Sequence, residues 1–140
     1  MALVLDQSYI DEMIAHARAD APNECCGIIA GKDGRPMRLY RAINAEASPY
    51  RYSVDAKDLL RIHRDADSHD WEFLVIYHSH THTEAYPSPT DVRLATWPDA
   101  YYVLVSLMDE AKPVVRAFRI EDGTITEEPI ELADGVVGGE

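Results

Sequence analysis

The chain has 140 residues, 46% of them apolar and 27% charged, the balance of one globular domain that can bury a core of its own. A formal net charge of −12 argues against nucleic acid, whose binding draws on clustered Lys and Arg, and against anionic membrane surfaces. No apolar run approaches the ~20 residues of a membrane span. The two cysteines, Cys25 and Cys26, are neighbours that cannot staple a fold, so a reducing, cytoplasmic home is expected.

The opening MALVLDQSYI lacks the basic and sustained apolar regions of a secretory signal; residues 2–5 read as a short strand. Ser8 is the expected N-cap of a first helix, in which Ile10, Met13, Ile14 and Ala17 form an amphipathic stripe and which Pro22 ends. Residues 26–31 (CGIIAG) predict a buried strand, 32–34 a turn, and 36–44 the returning strand, with Met37, Leu39 and Arg41 alternating against Arg38, Tyr40 and Ala42. A short strand is expected at 50–54, then a helix capped by Asp55 and carrying Leu59, Leu60 and Ile62. Residues 72–77 (EFLVIY) are apolar nearly throughout, as in a central strand covered on both faces. Ser88 opens a third helix to about Thr96, 101–107 is another buried strand, and 114–120 with 125–131 predict a hairpin around Asp122–Gly123. One domain over 1–132 with a flexible Gly-rich tail over 133–140 is expected, and the element order fits α/β or α+β.

Between these elements, residues 78–91 read HSHTHTEAYPSPTD. A strand puts residues i and i+2 on one face, so His78 and His80 would project together from a strand end and supply two imidazoles to one metal. The local alternative is a polar loop that caps a helix: Ser88 at the N-cap, Pro89 at the first helical position, and Asp91 reaching back. Both readings stand on spacing alone, as does a three-histidine metal site using His78, His80 and His82. Other His-x-His chemistries fail on missing parts. The chain is too short for a TIM-barrel amidohydrolase, and it has neither the zinc-deaminase pair of motifs nor His-Glu-x-x-His.

The full spacing His78-x-His80, seven residues, Ser88, two residues, Asp91, with Glu24-Cys25-Cys26-Gly27 upstream, resembles the signature of the JAMM (MPN-plus) metalloproteases. VIYHSHTHTEAYPSPTDVRLA, DAYYVLVS and ITEEPI extend the likeness over about residues 5–131, towards the bacterial branch of that family. The resemblance implies a mixed central sheet flanked by helices, cytidine-deaminase-like, and a Zn2+ ion held by His78, His80 and Asp91. It assigns Glu24 the proton transfers and Ser88 the oxyanion. His82 and Cys26 would act, if at all, beside the ligands or toward substrate. The implied partner is a small ubiquitin-like sulfur carrier cut after its C-terminal Gly-Gly, releasing cysteine from a carrier–cysteine adduct. Trimming of a carrier precursor, a deubiquitinase-like isopeptidase and a non-catalytic MPN scaffold are the alternatives. The resemblance leaves a homodimer open. An extended tail is expected to lie against residues 50–54 or the loop 83–87.

Overall fold

The computed structural model describes residues 2–133; residues 134–140, most of the expected tail, lie outside the described residues. Strand β1 (Leu3–Leu5) leads into helix α1 (Gln7–Asp20). The N-cap is Asp6, not Ser8, which already sits in the first turn; the Asp6 backbone is extended and its carboxylate makes no capping bond. Met13 and Ala17 are fully buried, and Ile10 and Ile14 pack beside them, as the stripe predicts. Strands β2 (Cys26–Lys32) and β3 (Arg35–Ala42) form a hairpin. Its two turn residues, Asp33 and Gly34, both have positive φ, the backbone that matches the twist of paired strands. The face that β3 buries carries Tyr40 and Ala42, whereas Met37 is exposed, because this edge strand is covered mainly at its C-terminal end.

Residues 50–54 do not form the expected strand; a single bridge, Asn44 to Val54, is all that remains. The Asn44 side chain takes the ladder's place. Its oxygen accepts from Glu46 N and Ser53 N, and its amide donates to the carbonyls of Glu24 and Arg51. Helix α2 (Ala56–Ser68) then starts on the Asp55 carboxylate, which accepts from Lys57 N and Asp58 N. It buries Ile62 and Ala66 and leaves Leu60 exposed.

Strand β4 (Glu72–His80) runs three residues past its expected end, and so carries both His78 and His80. The remaining elements are helix α3 (Pro89–Leu94), then β5 (Tyr101–Ser106), β6 (Val114–Glu121), β7 (Thr124–Glu128) and β8 (Ile130–Leu132). The last two were expected as one strand. Pro129 divides them: it has no N–H for the ladder, and after it β8 leaves the sheet to pair in parallel with β1.

The main sheet is mixed, in order β3-β2-β4-β5-β6-β7, with only the β4–β5 pair parallel and α3 in its crossover. Side-chain alternation sends Ile29, Val75, Tyr77 and Val103 toward α1, and Cys26, Ile28, Ile76 and Tyr102 toward α2. The result is a central sheet with a core on each face, flanked by helices as expected. One irregularity matters later. The β2–β4 register shifts so that Leu74 is extra. Leu74 and Val75 therefore both join the α1-side core, and Phe73 turns to the α2 side with Ile76 and His78. Among the described residues no helix is long and apolar enough to cross a membrane.

Candidate active site

His78 and His80 stand on the α2-side face at the C-terminal end of β4, next to the parallel strand β5. Asp91 comes from the first turn of α3. A reciprocal capping box holds it there: Ser88 N donates to Asp91 Oδ2 at 2.9 Å, and Asp91 N donates to Ser88 Oγ at 3.0 Å. The helix cap and the His–His–Asp grouping of this stretch therefore coexist, because the cap aims the carboxylate at the histidines. Asp91 Oδ2 lies 3.1 Å from His78 Nε2 and 3.0 Å from His80 Nε2. One ligand atom from each of the three residues falls within 4.8 Å of the others.

The donor chemistry fits a divalent metal of the zinc type. His80 Nδ1 lies 2.9 Å from the Glu84 carbonyl, which can only accept, so this nitrogen carries the proton and Nε2 keeps its lone pair. His78 is 1% exposed, and neither ring nitrogen has a hydrogen-bond partner among the described residues, although Nε2 is so near Asp91. The pair is close without being aligned for a hydrogen bond. Ligand atoms at ~2.0–2.1 Å around one tetrahedral ion sit roughly 3.3 Å apart, near the spacings found here. A buried imidazole with two orphaned nitrogens is otherwise costly. Tyr52 stacks on the His78 ring at 4.2 Å and fixes its plane.

Burial lowers the His78 pKa and keeps the imidazole neutral, the form that can ligate. For His80 burial opposes charge, but the Asp91 carboxylate and the Glu84 carbonyl outweigh it and raise the pKa. Asp91 is likewise buried, yet the two imidazoles and the Ser88 N–H hold its carboxyl well below the usual range.

Glu24 lies two residues before β2. Cys26 pairs with His78, and Ser79 N donates to Cys25 O at 3.2 Å, so the same register brings Glu24 opposite His80. It is 3% exposed, and its Oε1 has no hydrogen-bond partner among the described residues. Burial raises its pKa to about 8, with His80 pulling down and Asp91 pushing up. Cys26 faces His78 across the ladder but packs into the α2-side core. His82 is exposed on the loop, beside Thr81 Oγ1 and Tyr50, and the cluster takes Asp91 rather than His82 as its third member.

Sequence reasoning missed three positioning residues. Ser79, hidden between the histidines, accepts Cys25 N–H at 2.8 Å through its hydroxyl and ties β4 to the Glu24 segment. Asn44 clamps the Glu24 carbonyl, and Tyr52 backs His78. Ser79 alone carried a signal: a hydroxyl between two same-face histidines must point to the other side of the sheet.

Residues 6–121 match the family of prokaryotic homologs of the JAB domain. The chain belongs to this JAB/JAMM family. It is 48% identical over 134 residues to the CysO-cysteine peptidase of Mycobacterium tuberculosis, covering 94% of this chain and 92% of that one. It is 30% identical over 124 residues to a probable TtuB-protein conjugate cleaving protease of Thermus thermophilus, covering 88% and 79%. The solution structure of a Desulfitobacterium hafniense protein superposes with a TM-score of 0.83 at 35% identity, covering 95% of this chain and 94% of the other. The chain is thus a JAB-family peptidase with a His–His–Asp cluster able to hold a metal ion.

Proposed function

We propose that this chain is a zinc peptidase that hydrolyses the amide bond after the C-terminal Gly-Gly of a ubiquitin-like sulfur carrier, releasing cysteine from a carrier–cysteine adduct. The observation that carries the chemistry is the buried His78 ring, with both nitrogens unpartnered, beside Asp91 and His80. The substrate class is supported by the extensive likeness to a CysO-cysteine peptidase.

His78, His80 and Asp91 would hold the ion through three protein ligands, which leaves a position open for substrate or water. Zinc, when bound there, supplies a Lewis acid that polarises a carbonyl and acidifies water. Glu24 accepts the proton of the attacking water and passes it to the departing amine nitrogen as the C–N bond breaks. Its raised pKa, about 8, suits a group that must both take and release a proton near neutrality. Ser88 Oγ already accepts the Asp91 N–H, so its own O–H remains as a donor for the developing oxyanion. The capping box fixes that donor relative to the carboxylate ligand. All five groups come from one chain, so the chemistry needs no second copy. Cys25 and Cys26 take no part; burial pushes both thiols up to about 12 and away from nucleophilic thiolate. Two free adjacent cysteines support a reducing, cytoplasmic setting.

The second reading keeps the chemistry and changes the bond: an isopeptide between a ubiquitin-like carrier and a protein. The Thermus relative, named as a conjugate-cleaving protease, favours it. Three substrates separate the readings: a carrier ending Gly-Gly-Cys, one with a longer extension, and one joined through a lysine side chain. Preference for the cysteine adduct by at least tenfold in kcat/KM is expected. Preference for the lysine-linked conjugate would replace the first reading with the second.

A further inference from the structure

Two cavities line the α2-side face, and Trp97 is a wall of both. The nearer one, about 250 Å³, is lined by Ile76, Leu59, Leu94 and by Tyr52, the residue stacked on His78. The farther one, about 510 Å³, lies between α2 and the segment after α3. The two cavities share the Trp97 wall, and the nearer one touches the His–His–Asp cluster through Tyr52. The farther one carries three aromatic rings: Phe73 lies 5.0 Å from Trp97 and 4.5 Å from His63, all tilted and none in a sandwich. Phe73 reaches this face only because Leu74 is bulged.

The same cavity is bordered by Asp67, Glu72 and Asp99, all exposed. None of these carboxylates has an ion-pair or hydrogen-bond partner among the described residues, although Arg119 donates to the Asp99 backbone carbonyl at 2.5 Å, while nearby Asp65 and Asp70 are paired with Arg38 and Lys32. Arg38 does lie over Trp71, another wall residue, but it is committed to Asp65 at 2.6 Å. The three carboxylates do not converge as a metal cluster does.

We propose that this aromatic, acid-bordered cavity is a socket for one Lys or Arg side chain of the ubiquitin-like partner, and that it reads the segment upstream of the cleaved bond. The inference rests on the proposed peptidase function. Aromatic faces attract Lys and Arg, and three exposed carboxylates, of which Asp67 and Glu72 have no side-chain partner and no cation on their backbone, add charge complementarity in a chain of net charge −12. Opposite Phe73 and His78 the partner strand advances four residues, Ala30 to Cys26, so at ~3.3 Å per residue the socket lies about 13 Å from the cluster. An extended tail spans that distance in four steps, from its terminal glycine to the fifth residue before the cut. The socket therefore selects a basic residue about five positions before the cut.

The test uses two peptides, acetyl-Lys-Leu-Val-Gly-Gly-Cys and the same sequence with Ala in place of Lys. Each is given to the zinc-loaded enzyme, to measure kcat and KM, and to the 15N-labelled protein, to follow the two Trp indole N–H signals, assigned with Trp97→Phe. The lysine peptide should have about three- to tenfold higher kcat/KM, carried by KM, and should shift the Trp97 signal. The preference should fall to about one in Asp67→Asn/Glu72→Gln/Asp99→Asn, which alters only exposed side chains, and should shrink with added salt. Equal KM values, a preference that survives the triple variant, or cleavage without a Trp97 shift would overturn the socket and leave the peptidase intact. Lysine-dependent Trp97 shifts without cleavage would keep the socket and remove the proposed reaction.

Discussion

Glu24→Gln tests the electrostatics of the site without any substrate. The Glu24 carboxyl is buried, with one oxygen unpartnered among the described residues, and burial lifts its pKa from 4.5 to about 8. Between those values the folded chain keeps a proton that the unfolded chain has released. Stability therefore falls as pH rises from about 4.5 to about 8 and is unaffected by this group outside that window. Each pH unit costs about 1.4 kcal/mol, so the accumulated penalty at pH 7 is on the order of 3 kcal/mol. Glutamine has nearly the same shape and does not titrate. In the metal-stripped protein, Glu24→Gln should match the wild type in Tm near pH 4.5 and exceed it by roughly 10 °C at pH 7 to 8. The assay is thermal unfolding by circular dichroism with chelator at pH 5, 6, 7 and 8. His78, His80 and Asp91 are present in both proteins, so the difference between them isolates Glu24. A Tm difference that is the same at pH 5 and pH 8, or a wild type more stable than the variant at pH 8, would refute the argument.

Ser88→Ala should keep its metal content, lose about 10²–10³ in kcat, and lose about 1 kcal/mol of stability through the broken capping box; metal analysis beside kinetics checks it, and an unchanged kcat would remove Ser88 from the reaction. Gly27→Ala would place a Cβ 2.4 Å from the Tyr77 ring, which is buried and held by His16 Nδ1 at 2.7 Å, so the ring cannot withdraw. The expected loss is about 1–3 kcal/mol, read as a lower urea midpoint, together with weaker activity because β2 and β4 carry the site. Iodoacetamide at pH 8 should modify neither Cys25 nor Cys26 in the folded enzyme, since both are buried with pKa values pushed up to about 12; intact mass should show two adducts only after unfolding.

Much of this site could be read from the sequence because its parts are local. His78 and His80 share a strand face by period two, and Ser88, Pro89 and Asp91 spell a helix start, so spacing alone placed each group, while joining Asp91 and Ser88 to the histidines took the family likeness. Glu24 was different. Its place opposite His80 depends on a β2–β4 register set by contacts more than fifty residues apart, and only the family likeness could single it out. The errors have similar causes. Residues 50–54 have strand-like composition, but a single asparagine, Asn44, satisfies their backbone instead of a neighbouring strand. Alternation along EFLVIY would put Phe73 and Tyr77 on one face, and the extra residue at Leu74 reverses Phe73. Pro129 was visible, but nothing local says that β8 would find β1 at the other end of the chain.

The most direct test of the account combines one substrate with two controls. A small carrier bearing a single cysteine after its Gly-Gly is incubated with zinc-loaded enzyme and followed by intact mass, beside Glu24→Gln and a chelated sample. The account predicts one zinc per chain in both wild type and Glu24→Gln, loss of one cysteine residue from the carrier with wild type alone, and no change in either control. Cleavage that survives chelation or Glu24→Gln, or a protein that binds no zinc and leaves the carrier whole, would contradict it.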